Sequence, residues 1–165
     1  MDATTVGLLK KMGLSEKLAL EFFIAFARFE YALIATKFGR QRKNGTAEAD
    51  WDKFIKTLEN LDEAEKTRLS DAGDLLLKSP PKKLMFTEKR PGFRPVVRAG
   101  QTNIKFVLEG VKRARNNLFH GGKYYTPAET PDRNKDVVMA SLAVIHAILD
   151  SETPELQGVR QEYSN

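Results

Sequence analysis

The sequence predicts an all-α fold, an antiparallel bundle of about five helices, and three observations point to it. Apolar residues recur with the 3.6-residue period of a helix in five separate stretches. No stretch alternates convincingly with the period of two that a strand requires. The connections are local, so consecutive helices pack as neighbours.

Ser15 is a natural N-cap, and the helix it opens is expected to run to about Phe38 and stop at Gly39. Leu18, Phe22, Ala25, Phe26, Phe29 and Leu33 form one apolar stripe along it. Leu20, Phe23, Ala27, Ile34 and Phe38 form a second, and Lys17, Glu21 and Arg28 fill the narrow polar strip that remains. A helix apolar around most of its girth belongs at the centre of a bundle. Residues 40–46 are polar and contain Asn44-Gly45, a turn signal. Trp51, Phe54, Ile55, Leu58 and Leu61 then mark a second, amphipathic helix. A third, over about 63–78, presents Leu69, Ala72, Leu75 and Leu76 and is ended by Pro80-Pro81. Residues 79–100, with four prolines and two glycines, read as a loop. Thr102 caps a fourth helix with Ile104, Val107, Leu108, Val111 and Leu118 inward, and Gly121-Gly122 ends it. A polar loop over 123–130 leads to the last helix, about 132–150, carrying Val138, Leu142, Ile145 and Leu149. The whole reads as one domain over 1–150, followed by a flexible tail, 151–165, poor in apolar side chains.

A chain of 165 residues suffices for one domain that buries roughly 70% of its unfolded surface. Hydrophobic residues at 41% and charged residues at 30% exclude the compositions of disordered chains. The absence of cysteine rules out a disulfide scaffold and cysteine-based zinc sites, and it agrees with a reducing compartment. With no basic leader and no apolar run of about 18 residues, a cytoplasmic protein without membrane association is expected. The formal net charge of +5 is concentrated. Residues 80–100 hold Lys82, Lys83, Lys89, Arg90, Arg94 and Arg98 against Glu88, which leaves the remainder neutral. Such a segment is either a polyanion-binding element or a solvated basic loop.

Two residues near the end of the fourth helix carry the chemistry. Arg115 follows Val111 by four and Leu108 by seven, on the inward face. A guanidinium there must meet a carboxylate, a polar cleft or a second subunit, because an uncompensated buried charge is strongly unfavourable. His120 ends the helix just before Gly121-Gly122. The negative end of the helix dipole favours an imidazolium there by up to about 2 kcal/mol, and histidine titrates close enough to neutrality to exchange protons. The glycines beside it let a bulky substrate backbone approach.

The run Arg115-Asn116-Asn117-Leu118-Phe119-His120 resembles the Arg-x4-6-His motif of the HEPN superfamily, helical domains of bacterial toxins, antiviral effectors and RNA-targeting CRISPR enzymes. Asn116 matches the polar residue that commonly follows the arginine, and the motif's place near the end of the penultimate helix matches as well. The resemblance covers roughly residues 15–150; residues 79–100 and the tail have no counterpart in it. It implies RNA cleavage without metal or cofactor, at a composite site formed where two motifs face each other across a homodimer joined through the motif helix. Two His120 side chains would supply the proton transfers of 2′-hydroxyl transesterification, each contributing roughly 10²–10⁴ in rate. Two Arg115 side chains would clamp the phosphoryl oxygens, and Asn116 would orient His120 or bind phosphate. The biological setting implied is a toxin or abortive-infection effector, with an antitoxin or other regulatory partner. In the branch whose antitoxin is a nucleotidyltransferase, a tyrosine lies two positions after the histidine; here that position is Gly122, a departure that bears on control and not on cleavage.

Other residues enter on geometry. Glu30 falls between Phe26 and Leu33 on one side and Phe23 and Ile34 on the other. A carboxylate so placed pairs with Arg115, pairs with another cation, or reaches solvent. Lys89, Arg90, Arg94, Arg98 and Lys123 are the expected RNA-binding residues. The fourth helix spans about 24 Å from Ile104 to Phe119, so the basic segment reaches His120 by folding back or by coming from the partner chain. His146 reads as structural, and Tyr124 and Tyr125 as loop residues covering a core edge or stacking on bases. Against the nuclease stands a reading from another class: a catalytically silent module of the same fold that binds nucleic acid or nucleotide, or only dimerises.

Overall fold

The structure, a computed structural model, describes residues 3–87, 90–119 and 131–165. The fold is largely helical, with two small antiparallel hairpins. After α1 (Ala3–Lys11) comes α2 (Glu16–Ile34), opened as expected by Ser15, whose Oγ accepts from the Leu18 N–H at 3.2 Å. α2 ends four residues short of Phe38. Thr36 Oγ1 donates back to the carbonyls of Ala32 at 2.9 Å and Leu33 at 3.1 Å, so the last turn's acceptors are satisfied without further helix. Phe38 is nonetheless fully buried, edge-on to Phe54 at 5.0 Å between ring centroids.

β1 (Gly39–Gln41) and β2 (Ala47–Ala49) pair around the Asn44-Gly45 turn. Three residues per strand are too few to show a period in sequence. Asp50 caps α3 (Trp51–Glu59), accepting from the Lys53 N–H at 3.1 Å, and Asp62 caps α4 (Glu63–Ala72), accepting from the Glu65 N–H at 2.8 Å. The single helix expected over 63–78 is broken at Gly73 into α4 and α5 (Asp74–Lys78). A Cβ at Gly73 would run into the Val107 side chain, so the break is where the next long helix approaches bare backbone.

Residues 79–100, expected as a loop, contain the second hairpin: β3 (Lys83–Thr87) and β4 (Arg90–Arg94), antiparallel, with Lys83 opposite Arg94 and Leu84 opposite Phe93. Its alternation was hidden by Pro91 and Gly92, residues that read as breakers yet are tolerated on the edges of a two-stranded ribbon. Thr102 Oγ1 then accepts from the Lys105 N–H at 3.2 Å and opens α6 (Asn103–Phe119), followed by α7 (Pro131–Leu149). Residues 151–165, expected as a flexible tail, form a 3-10 turn (Pro154–Leu156) and α8 (Gln157–Ser164). The tail has few apolar residues but places them inward: Leu156 and Val159 are buried, and α8 packs on α2. Arg28 locks it by donating Nε to the Tyr163 carbonyl at 3.0 Å with its guanidinium over the Tyr163 ring.

The centre of the molecule is α6, not α2. α3, α4, α5 and α7 all pack against α6, and from Ile104 to Leu118 every residue is buried or half-buried. The first stripe of α2 fills the core with Phe22, Phe26, Phe29 and Leu33 against Trp51 and Phe54. Its second stripe does so only in part: Phe38 is buried and Ile34 packs on the core, whereas Leu20 and Phe23 are 53% and 48% exposed, as are Ile24 (47%) and Tyr31 (63%) beside them, where a central helix would have covered them. Among the described residues no single helix is long and apolar enough to cross a membrane.

Candidate functional site

Three cations near the end of α6 each lie over an aromatic ring. Lys112 Nζ is 4.9 Å from the Trp51 centroid, the Arg113 guanidinium 5.4 Å from Phe106, and the Arg115 guanidinium 5.3 Å from Phe26. Such contacts contribute roughly 0.5–2 kcal/mol, more as water is excluded. Arg115 is half-buried, donates Nη1 to Asn116 Oδ1 at 3.0 Å, and lines a cavity of about 170 Å³ with Phe23, Phe26, Glu30, Tyr31 and Ile34. The sequence allowed a carboxylate, a polar cleft or a second subunit; the cavity it lines is mostly apolar, with Glu30 in its wall.

Glu30 shares that cavity. Its charge also acts on Lys112. Burial pushes the Lys112 ammonium below its ordinary range, and Glu109, Asp52 and Glu30 partly offset this. Burial likewise lowers Arg113, against Glu109 at 3.4 Å, and its Nε and Nη2 have no hydrogen-bond partner among the described residues. Sequence reasoning passed over Lys112; its signal was a lysine one turn before Arg115 on a helix buried from every side.

Lys112 makes a test of this electrostatic arrangement. A lysine held below its ordinary value binds fewer protons folded than unfolded, so its burial disfavours folding at neutral pH and is relieved as pH rises toward the unfolded value of ~10.4. Lys112→Met keeps a chain long enough to cover Trp51 and removes the charge. Its melting temperature is expected to match or exceed wild type at pH 7, with the difference shrinking toward pH ~10. A variant much less stable at pH 7 would mean that the ammonium's partners outweigh its burial.

Asn117 was passed over as an unspecified motif position and is structurally the most informative of them. It is 3% exposed, and its Nδ2 donates to the Lys82 carbonyl at 2.8 Å. This bond holds the start of the β3–β4 hairpin against the motif end of α6. Asn116 is half-buried beside Arg115.

The basic segment is divided rather than gathered. Arg90 and Arg94 are exposed on β4, and Lys83 joins them from β3. Arg98 lies at the opposite end of α6, donating Nε to the Gln101 carbonyl at 2.8 Å beside a cavity of about 430 Å³ with Glu59, Lys66 and Thr102. It is thus some 20 Å of helix from Asn117. His120, Gly121, Gly122, Lys123, Tyr124, Tyr125 and Lys89 lie outside the described residues. His146 is exposed in the last turn of α7. Among the described residues no group of three or more His, Asp or Glu side chains is placed to hold a metal ion.

No family model, no curated protein and no solved structure matches this chain.

Proposed function

We propose that the protein is a metal-independent RNA endonuclease of the HEPN kind, cutting by 2′-hydroxyl transesterification at a composite site in a homodimer. It acts in this reading as a cytoplasmic toxin or antiviral effector. The observation that carries the proposal is Arg115: a permanent cation held half-buried at the wall of an open cleft, beside Asn116 and five residues before His120. One His120 takes the proton of the 2′-hydroxyl, whose oxygen attacks the adjacent phosphorus. The partner's equivalent histidine protonates the departing 5′-oxygen. The products are a 2′,3′-cyclic phosphate and a 5′-hydroxyl, and the two guanidinium groups stabilise charge on the phosphoryl oxygens in between.

The dimer surface we assign is the half-exposed stripe of α2 rather than α6 itself. α6 offers little to a partner, being enclosed, whereas Leu20, Phe23, Ile24 and Tyr31 line about 16 Å of α2. At half exposure, four such side chains present on the order of 400 Å² of apolar surface, the core of a standard interface of about 800 Å² per partner. Phe23 and Tyr31 also line the Arg115 cleft, so a second copy seated on this stripe brings the two clefts together. Expression in bacteria tests the function. Wild type is expected to arrest growth and His120→Ala to permit it. Equal growth, with purified protein that binds RNA without cutting it, would leave the silent binding module.

A further inference from the structure

We propose that the Arg115 cleft is a pocket for one guanine base of a single-stranded RNA, with Glu30 as the residue that selects it. The inference rests on the ribonuclease reading for what happens to the bound strand, but not for the base that is chosen.

The wall of the cleft is one face of α2 completed by one side chain of α6. Phe23, Phe26, Glu30 and Ile34 follow one another at three or four residues, with Tyr31 beside them, and Arg115 comes from α6. At about 170 Å³ the space is well below the roughly 300–1,000 Å³ of a site for a drug-sized ligand. It takes one flat ring system and not a whole nucleotide. Aromatic rings supply much of the lining, and the faces of a base stack on such rings. Tyr31 is exposed, so its ring is open to stacking.

The two charged groups of the wall divide the recognition. Arg115 only donates, and a phosphate suits it. Glu30 is its opposite. An ionised carboxylate only accepts, and it repels phosphate. In a cleft for a polyanion such a group is an obstacle unless the ligand brings donors to it. Of the groups on an RNA strand, a 2′-hydroxyl brings one donor; only a base edge brings two side by side. Glu30 is half-buried among apolar side chains, where such a donor pair counts for more than in water. A neighbouring cation does not exhaust the carboxylate, which has about four lone-pair sites.

Guanine alone fits that acceptor. Its N1–H and its 2-amino group lie next to each other, one for each carboxylate oxygen. Adenine and cytosine set an amino group beside a ring nitrogen that accepts. Uracil flanks its one N–H with two carbonyl oxygens. Each of these meets the carboxylate with an attraction and a repulsion together. The Watson–Crick edge is free only on an unpaired base, which makes a single strand the ligand. Glu30 and Arg115 line the same cavity, so the phosphate that Arg115 meets is one beside the selected guanine. Choosing the base then chooses where the strand is cut.

The test uses the full chain and 2′-O-methyl oligouridylates of about eight nucleotides, which bind but have no 2′-hydroxyl to react. Each carries one central guanine, adenine, cytosine or hypoxanthine, or uracil throughout. Wild type is expected to bind the guanine strand about tenfold or more tighter than the adenine, cytosine and uracil strands. Hypoxanthine keeps N1–H and lacks the 2-amino group, so its strand should lose about tenfold against guanine with the protein unaltered. Glu30→Gln should remove the preference for guanine. Equal binding of all strands by wild type would overturn the pocket, as would a hypoxanthine strand that binds like the guanine strand. A guanine preference that survives Glu30→Gln, or a variant that weakens every strand alike, would overturn the role of Glu30. Because the strands cannot be cut, guanine selection by a protein that leaves ordinary RNA intact refutes the nuclease and leaves the pocket standing. Cleavage of ordinary RNA without selection of guanine does the reverse.

Discussion

Replacing His120 or Arg115 by alanine is expected to lower the rate of RNA cleavage by roughly 10² or more in each case. The two losses arise differently. Without His120 the 2′-hydroxyl keeps its proton and the leaving oxygen departs as an alkoxide, so turnover falls while affinity for RNA hardly changes. Without Arg115 the charge that develops on the phosphoryl oxygens is stabilised by less. Arg115→Lys should recover part of this, since it restores charge without the planar fork. Neither substitution should unfold the protein. The Arg115 guanidinium is half-buried at the wall of a cleft rather than enclosed in the core. The Phe26 contact accounts for roughly 0.5–2 kcal/mol at most. Single-turnover cleavage beside a thermal melt separates the effects, and an Arg115→Ala protein that cuts at the wild-type rate would remove Arg115 from the mechanism.

A glutamate in the exposed stripe of α2 is expected to dissociate the dimer and abolish cleavage at micromolar protein. Tyr31 is the best position: it is 63% exposed, so Tyr31→Glu should leave the monomer's stability within about 0.5 kcal/mol. In the dimer the same carboxylate would be stripped of water against apolar side chains, twice over because of the two-fold symmetry. Desolvation without a partner costs several kcal/mol per ion, enough to weaken association by a factor of about 10³ or more. Lost activity should return in part when the concentration of the variant is raised, which a defect in chemistry would not allow. Analytical ultracentrifugation decides the matter. A wild-type protein that sediments as a monomer at micromolar concentration contradicts the composite site.

What could be read in the sequence was what burial and period control. The N-cap at Ser15, the core stripe through Phe22, Phe26 and Phe29, and the inward residues Val107, Leu108 and Val111 of α6 all follow from apolar spacing, and all are found. The errors have physical causes. α2 reads as central because its second stripe is apolar, but composition does not say whether an apolar face meets the same chain, another chain or solvent. The β3–β4 hairpin was missed because Pro91 and Gly92 occupy strand positions that a two-stranded ribbon tolerates. Helix α8 was missed because Leu156 and Val159 suffice to dock a short helix, too few to register as a period. At the site, Arg115 and Asn116 were legible as a motif, while the roles of Lys112 and Asn117 depend on contacts with Trp51 and Lys82, at separations in sequence that no local pattern encodes.

The central claim is that side chains, not a metal-bound water, move the protons at an RNA phosphate. It is tested most directly by cutting a short RNA of defined sequence with wild type in excess EDTA and identifying the new ends by mass. The account predicts cleavage at an undiminished rate, with a 2′,3′-cyclic phosphate on one fragment and a 5′-hydroxyl on the other. Cleavage that stops in EDTA, or fragments that carry 5′-phosphates, would contradict it.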